Sequence, residues 1–187
     1  MDFQVLTFIN HFWHGTWLDS FSRFISRRRS MAIIRTIVIS LVVILKKKYR
    51  KYMLLCFVFS AGLFYLVSEI GFKTLLVQEI GIRSRPYITH ANTIKPIGKH
   101  YSDSSFPSSH VALTVAMITV LIILFPVVRP YAILYALLMA WSRMYNGMHY
   151  PSDIFVWTII WIGCGWLGVV LSKKVFRLKK FPFDNRD

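Results

Sequence analysis

The sequence predicts an all-α fold, a polytopic membrane helical bundle of about five transmembrane helices preceded by an N-terminal amphipathic interfacial helix, six helices in all. Three observations lead there. Of 187 residues, 55% are hydrophobic and 17% charged, against roughly 45–50% and 25% in an average soluble domain. The formal net charge is nonetheless +15, and its Lys and Arg come in bursts at 27–29, 46–51 and 173–180. Between the bursts lie apolar runs approaching or reaching the roughly 17–25 helical residues that a bilayer requires, with Trp and Tyr near their ends. The abundance of aliphatic and aromatic residues excludes disorder. Cys56 and Cys164, the only cysteines, sit inside apolar runs and exclude a disulfide scaffold. No run is polar enough to be the soluble core of a nucleic-acid-binding domain, so the basicity points to a membrane.

Residues 3–25 place Val5, Ile9, Phe12, Trp13, Trp17, Phe21 and Phe24 at helical spacing, opposite Gln4, Thr7, His11, His14 and Ser22. A Trp/Phe face followed by an arginine triplet suits a helix lying in the interface plane. Asp19, Arg23 and two histidines make a sixth span costly there, and no basic region precedes the run as in a signal peptide. The spans are expected at about 31–46, 52–72, 107–126, 131–147 and 154–172. The first is short and carries Arg35, whose charge must snorkel. The whole reads as a single domain over 1–187. Residues 1–30 form the interfacial helix and basic tail, 31–172 the catalytic bundle and 173–187 a basic C-terminal tail. A long polar loop, 83–106, and a short polar turn, 146–152, interrupt the apolar pattern.

Ionisable groups at membrane depth are expensive and call for a reason. They gather in three segments: Arg83-Ser84-Arg85-Pro86 after the second span, Ser105-Phe106-Pro107-Ser108-Ser109-His110 at the start of the third, and Ser142, Arg143, His149 and Asp153 between the fourth and fifth. Counting crossings puts all three on one membrane face. Pro107 suits the first helical turn, where backbone N–H groups and the Ser108 hydroxyl form an anion site. Arg85 and Arg143 can hold non-bridging phosphoryl oxygens bidentately. His149 and Asp153, four residues apart, let a carboxylate hold one imidazole nitrogen while the other attacks; His110 is available as the acid for the leaving group. The set describes phosphoryl transfer without a metal or other cofactor. Zinc on His149, Asp153 and His110 is the competing reading, but the neighbouring arginines repel a cation and carboxylates are scarce. His11, His14, His90 and His100 read as interfacial or loop residues, and both cysteines as packing residues.

These residues resemble the type 2 phosphatidic acid phosphatase (PAP2) superfamily of membrane lipid phosphatases. Its third motif, Ser-Arg, five residues, His, three residues, Asp, is matched in full by Ser142, Arg143, His149 and Asp153. The second, Pro-Ser-Gly-His, is matched by Pro107, Ser108 and His110, with Ser109 in place of Gly. The first, Lys, six residues, Arg-Pro, is matched by Arg85 and Pro86, but Gln78 stands at the lysine position and Lys73 lies five residues earlier. Either Lys73 reaches back through an insertion near Gly81, or Arg83 supplies the charge.

The resemblance implies a mechanism. His149 attacks phosphorus to form a phosphohistidine, with Asp153 orienting it. His110 protonates the departing oxygen and then activates water. Arg85, Arg143, Lys73, Ser108 and the Ser109 amide stabilise the phosphoryl oxygens. It also implies a membrane lipid phosphate as substrate: lipid A 1-phosphate or undecaprenyl pyrophosphate, or else phosphatidylglycerol phosphate. Anionic head groups are the expected surroundings, with no nucleic acid partner and an oligomeric state that the sequence does not specify. The face opposite the motifs carries the 46–51 and 173–180 bursts with Arg129 and Arg186, outweighing the motif face. The positive-inside rule thus predicts an outward-facing site, and the resemblance to small bacterial members of the family implies an inner-membrane protein with that site on the periplasmic face. A transporter or structural subunit with a polar His/Arg pathway is the alternative in a different class.

Overall fold

The computed structural model describes residues 1–12, 14–76, 83–98, 104–105 and 109–178, and the side chains of residues 16, 69, 73–76, 109 and 110 are not among what it describes. All regular structure in the described residues is helical: α1 (Asp2–His11), α2 (Thr16–Ser26), α3 (Arg28–Leu45), α4 (Arg50–Phe64), a short α5 (Pro86–Thr89), α6 (Ser109–Leu124), α7 (Arg129–Tyr145) and α8 (Pro151–Val175). Helix α4 runs on without a break into a π-wound stretch, Tyr65–Leu76, so helical winding continues past residue 72, the end expected for the second span. Helices α3, α7 and α8 lie within a few residues of the ranges expected for the first, fourth and fifth spans, and of the range expected for the third, 107–108 lie outside the described residues.

The bundle is centred on α8, which packs most extensively on α6 and α4. Trp157 and Trp161 stack at 5.5 Å between ring centroids in the middle of it, both fully buried with Val111, Val115 and Met139 around them. A second apolar layer of Tyr52, Met53, Cys56, Phe57, Val120, Leu124 and Val169 lies further from the α8 N-terminus. Cys56 and Cys164 are free and buried, as packing residues should be.

Two glycines allow the close approach. A Cβ on Gly165 would sit 2.5 Å from the Ala116 carbonyl oxygen of α6, and one on Gly168 would sit 2.7 Å from the Ser60 Oγ of α4. Small residues at such crossings let helix backbones touch. Gly168→Val should therefore lower the thermal midpoint of the detergent-purified protein, with a cost of about 1–3 kcal/mol as for other overpacked sites. A midpoint unchanged from wild type would mean that α4 and α8 are not locked at this crossing.

Outward faces are apolar to an extent that water does not tolerate. Ile33, Ile37, Leu41 and Ile44 along α3, and Phe155, Ile159, Ile162 and Trp166 along α8, are all exposed. Stripes of this size mark a surface meant for a partner or a membrane. Among the described residues, two helical stretches are long and apolar enough to cross a bilayer, Lys47–Phe72 and Pro151–Val175, with mean hydropathies of 2.0 and 2.2; Val111–Leu124 is apolar but shorter.

The N-terminal region departs from the single helix expected over 3–25. It is two helices, because the chain is extended at Gly15 and α2 starts afresh at Thr16. Apolar periodicity runs through the break and hides it. Both helices are inverted relative to those of a soluble protein. Phe8, Phe12, Trp17 and Phe24 face outward, while the polar side chains of Asn10, Ser22 and Ser26 are buried against the α7–α8 turn. That is the arrangement of an element with lipid or interface on one side and a hydrogen-bonding partner on the other.

Candidate active site

One end of the bundle collects the C-terminus of α7, the N-termini of α6 and α8, and the start of α5. Arg85 sits just before Pro86, which forces it into an extended conformation (φ −68°, ψ 149°). From there its carbonyl accepts the N–H groups of Ile88 and Thr89, and its side chain turns inward to donate to the Met148 carbonyl at 3.1 Å. Arg143 lies in the last turn of α7, where the helix dipole favours a cation. The chain then reverses through Gly147 at φ +68°, a conformation that only glycine adopts without strain, and a Cβ there would also strike Ile94 at 2.6 Å. This turn presents His149.

The His149 ring is buried, 1% exposed, between the two arginines, themselves 4% and 3% exposed. Its Nδ1 lies 2.6 Å from the Ser105 backbone carbonyl, which can only accept, so Nδ1 carries the proton. In the neutral ring, Nε2 is then left with its lone pair. Arg143 Nη2 donates to Nε2 at 3.1 Å, and Arg85 Nη1 stands 3.5 Å away. A nitrogen lone pair faced by two guanidinium forks has the chemistry for nucleophilic attack with anion-binding donors beside it.

Asp153 is fully buried at the third position of α8. Its Oδ2 accepts the Tyr150 N–H at 3.0 Å, capping the helix, and its Oδ1 pairs with Arg83. The carboxylate thus rigidifies the turn that carries His149, while His149 Nδ1–H donates to the Ser105 carbonyl. Arg83 also pairs with Asp2 Oδ2 at 3.0 Å, lies over the Tyr150 ring at 4.1 Å, and uses its own carbonyl to accept the Ser105 N–H at 2.8 Å. One arginine therefore joins the first motif to the second and third.

Of the residues expected at the site, Arg85, Arg143, His149 and Asp153 come together at this end. Ser109 and His110 form the first residues of α6 at the same end, their side chains beyond what is described. Ser108 lies outside the described residues. Lys73 is in the π-wound stretch, its side chain likewise beyond description, and Gln78 lies outside the described residues. Ser142 turns away from the site, its hydroxyl on Ser26 Oγ and the Met139 carbonyl at 2.8 Å each. Among the described residues, no group of three or more His, Cys, Asp and Glu could hold a metal.

Several supporting residues carried no motif. Asn146 takes the Ser22 hydroxyl at 2.6 Å and donates to Ser26 at 3.1 Å. Asn10 donates to the Tyr145 and Lys95 carbonyls and accepts the Lys95 N–H. Asp2 accepts the Ser152 N–H at 2.9 Å and its hydroxyl at 2.6 Å, fastening α1 to the first turn of α8. The only trace in sequence is spacing: Leu6 with Asn10, and Ser22 with Ser26, are i,i+4 pairs on the faces that turn inward. His11 meets the Thr93 carbonyl and His90 the Phe3 ring, which ties the 83–98 loop to α1.

Burial alone would raise the Asp2 carboxyl, but hydrogen bonds from Ser152 and the Arg83 guanidinium outweigh it and hold the group below its ordinary 3.8. A depressed carboxylate contributes stability that is present above its unfolded pKa and lost as pH falls through the folded one. The pair with Arg83 is a third or more exposed, so the gain is at most about 1 kcal/mol. Asp2→Asn should lower the melting temperature in detergent at neutral pH, and the gap to wild type should close as pH falls through and below 3.8. A gap that stays constant with pH would remove Asp2 from this role.

The helical bundle and its end define a class: an all-helical protein with a histidine buried between two arginines. The chain belongs to the PAP2 superfamily, whose profile matches residues 53–177. It is 28% identical over 138 residues to a lipid A 1-phosphatase of Rhizobium johnstonii, a match covering 63% of this chain and 57% of that protein's own length. It is 27% identical over 185 residues to a lipid A 4′-phosphatase of Bacteroides thetaiotaomicron, covering 94% of this chain and 78% of the relative. In fold it is similar to the crystal structure of Aquifex aeolicus LpxE, with a TM-score of 0.67 at 22% identity over 90% of this chain and 94% of that one.

Proposed function

We propose that the chain is a metal-independent lipid phosphate phosphatase that works through a phosphohistidine. The observation that carries this reading is the His149 ring, with Nδ1–H on the Ser105 carbonyl and Nε2 between Arg143 and Arg85. In the first step Nε2 attacks phosphorus as the bond to the lipid oxygen breaks, and His110 gives its proton to that oxygen. The two guanidiniums move from Nε2 onto the phosphoryl oxygens, with Ser108, the Ser109 amide and Lys73 as further donors. In the second step His110 takes a proton from water, which attacks the phosphohistidine and frees inorganic phosphate.

The substrate in this reading is lipid A 1-phosphate or undecaprenyl pyrophosphate, with phosphatidylglycerol phosphate as a further member of the set. Helices α3, α4, α6, α7 and α8 would be the five spans in a bacterial inner membrane, with the site on the periplasmic face. Purified protein in detergent should release phosphate from at least one of these lipids, equally well in EDTA and without response to added Mg²⁺. Loss of activity on chelation would favour the metal reading, and release from none of them would favour a non-enzymatic membrane protein.

A further inference from the structure

Arg83 is a candidate for the charge that the first motif lacks at Gln78, yet its side chain is already engaged. Its Nη1 pairs with the buried Asp153 carboxylate and donates to Ser152 Oγ at 3.0 Å, and its Nη2 donates to Asp2 Oδ2 at 3.0 Å. Two carboxylates against one guanidinium leave little of its charge for a third anion. What this clamp holds is the surroundings of His149, by two routes. On the first, Asp153 Oδ2 accepts the Tyr150 N–H at 3.0 Å, which fixes the residue next to His149. On the second, the Arg83 carbonyl accepts the Ser105 N–H at 2.8 Å and the Ser104 hydroxyl at 3.3 Å, and the Ser105 carbonyl in turn accepts His149 Nδ1–H at 2.6 Å. The second route decides which ring nitrogen is basic. A neutral imidazole side chain free in water favours the proton on Nε2, so the Nδ1–H form that leaves Nε2 able to attack has to be held by an acceptor.

Resting on the phosphatase reading, we propose that Arg83 is a positioning residue for the nucleophile and not a phosphate donor, and that Asp2 is its anchor, so that α1 belongs to the catalytic assembly. The Arg83 fork ties α1 to the first turn of α8, and its carbonyl ties both to the 104–105 segment. Asp2 is thereby connected to the tautomer of His149. Asp2, Ser152 and Asp153 hold the guanidinium, the guanidinium steadies its own backbone, that backbone holds Ser105, and Ser105 holds Nδ1. A misplacement of about 1 Å at the reacting atom can cost about 10²-fold in rate, so a residue that never touches phosphate can still govern kcat.

The test measures kcat, KM, inhibition by inorganic phosphate and the His149 tautomer for wild type, Arg83→Gln, Arg83→Lys and Asp2→Asn, in neutral detergent. The tautomer is read from ¹⁵N–¹H correlation spectra of histidine-labelled protein at a pH where the ring is neutral, with the His149 signals assigned by their loss in His149→Ala. Arg83→Gln should lower kcat roughly ten- to hundredfold. Its KM and its inhibition by phosphate should stay at wild-type values, while His149 moves from the Nδ1–H form toward Nε2–H. Arg83→Lys keeps the charge but not the fork that spans two carboxylates, and should recover part of that loss. Asp2→Asn should lose kcat in the same direction by a smaller factor. A raised KM and weaker phosphate inhibition at unchanged kcat would make Arg83 a phosphate donor and overturn the proposal. So would a fall in kcat with His149 still wholly in the Nδ1–H form, or wild-type kcat in Asp2→Asn. If Arg83→Gln fails to fold, Asp2→Asn carries the same comparison, because the Asp2–Arg83 pair is a third or more exposed. A wild type inert on every lipid phosphate would fail the phosphatase reading, and the tautomer comparison would still decide whether Arg83 holds the ring.

Discussion

His149→Ala is expected to remove phosphate release from lipid phosphates almost entirely, by at least about 10³-fold in kcat, as deletion of a nucleophile does where the remaining donors still bind. Groups from three segments meet on the ring: Ser105 holds one nitrogen, and Arg143 and Arg85 face the other. Alanine removes the attacking atom and leaves both guanidiniums in place, so lipid binding should survive while turnover does not. Wild-type protein incubated with a ³²P-labelled substrate and denatured in alkaline detergent should carry base-stable, acid-labile label, and the variant none. Full turnover by His149→Ala would sink the phosphohistidine scheme.

The second large effect is expected at Arg143, and Arg143→Lys is the informative change. Lysine keeps the charge and the dipole contact at the end of α7 but loses the planar fork. At present one arm of that fork donates to Nε2 at 3.1 Å, within reach of any oxygen transferred there. Removing one preformed oxyanion donor typically costs 10²–10³ in kcat, so a loss of about that size is expected with little change in melting temperature. A lysine variant with wild-type kcat would mean that Arg143 acts only as a point charge. A fall in melting temperature that accounts for the lost activity would make it structural.

Much of the framework was legible because its signals are strong. Apolar runs between basic bursts marked α3, α4, α6, α7 and α8, and counting their crossings brought Arg85, Arg143, His149 and Asp153 to one end. What escaped did so for physical reasons. The Ser105 carbonyl that fixes the His149 tautomer is a backbone group, which every residue has and no spacing reveals. The break at Gly15 lies within a run whose aromatic period continues across it. Asp2 and Asn10 are ordinary polar residues of an amphipathic helix until their partners, Ser152 and the Tyr145 carbonyl, are brought over by the fold. For Asp153, expected to orient the imidazole, the contacts to the Tyr150 N–H and to Arg83 were equally invisible, since both depend on the fold.

The inward polar faces of α1 and α2 also impose an order of assembly. Ser22 waits for Asn146, 124 residues downstream, and Asp2 for Ser152, 150 residues downstream. Neither bond can form until nearly the whole chain has been made, and contacts so distant in sequence close late. Until then the Trp and Phe faces have the membrane surface to rest on, while the amides and hydroxyls remain hydrated. Helices α1 and α2 thus cannot complete these bonds before the α7–α8 turn and the start of α8 exist, and the Asp2–Arg83–Asp153 junction closes only when all three segments are present.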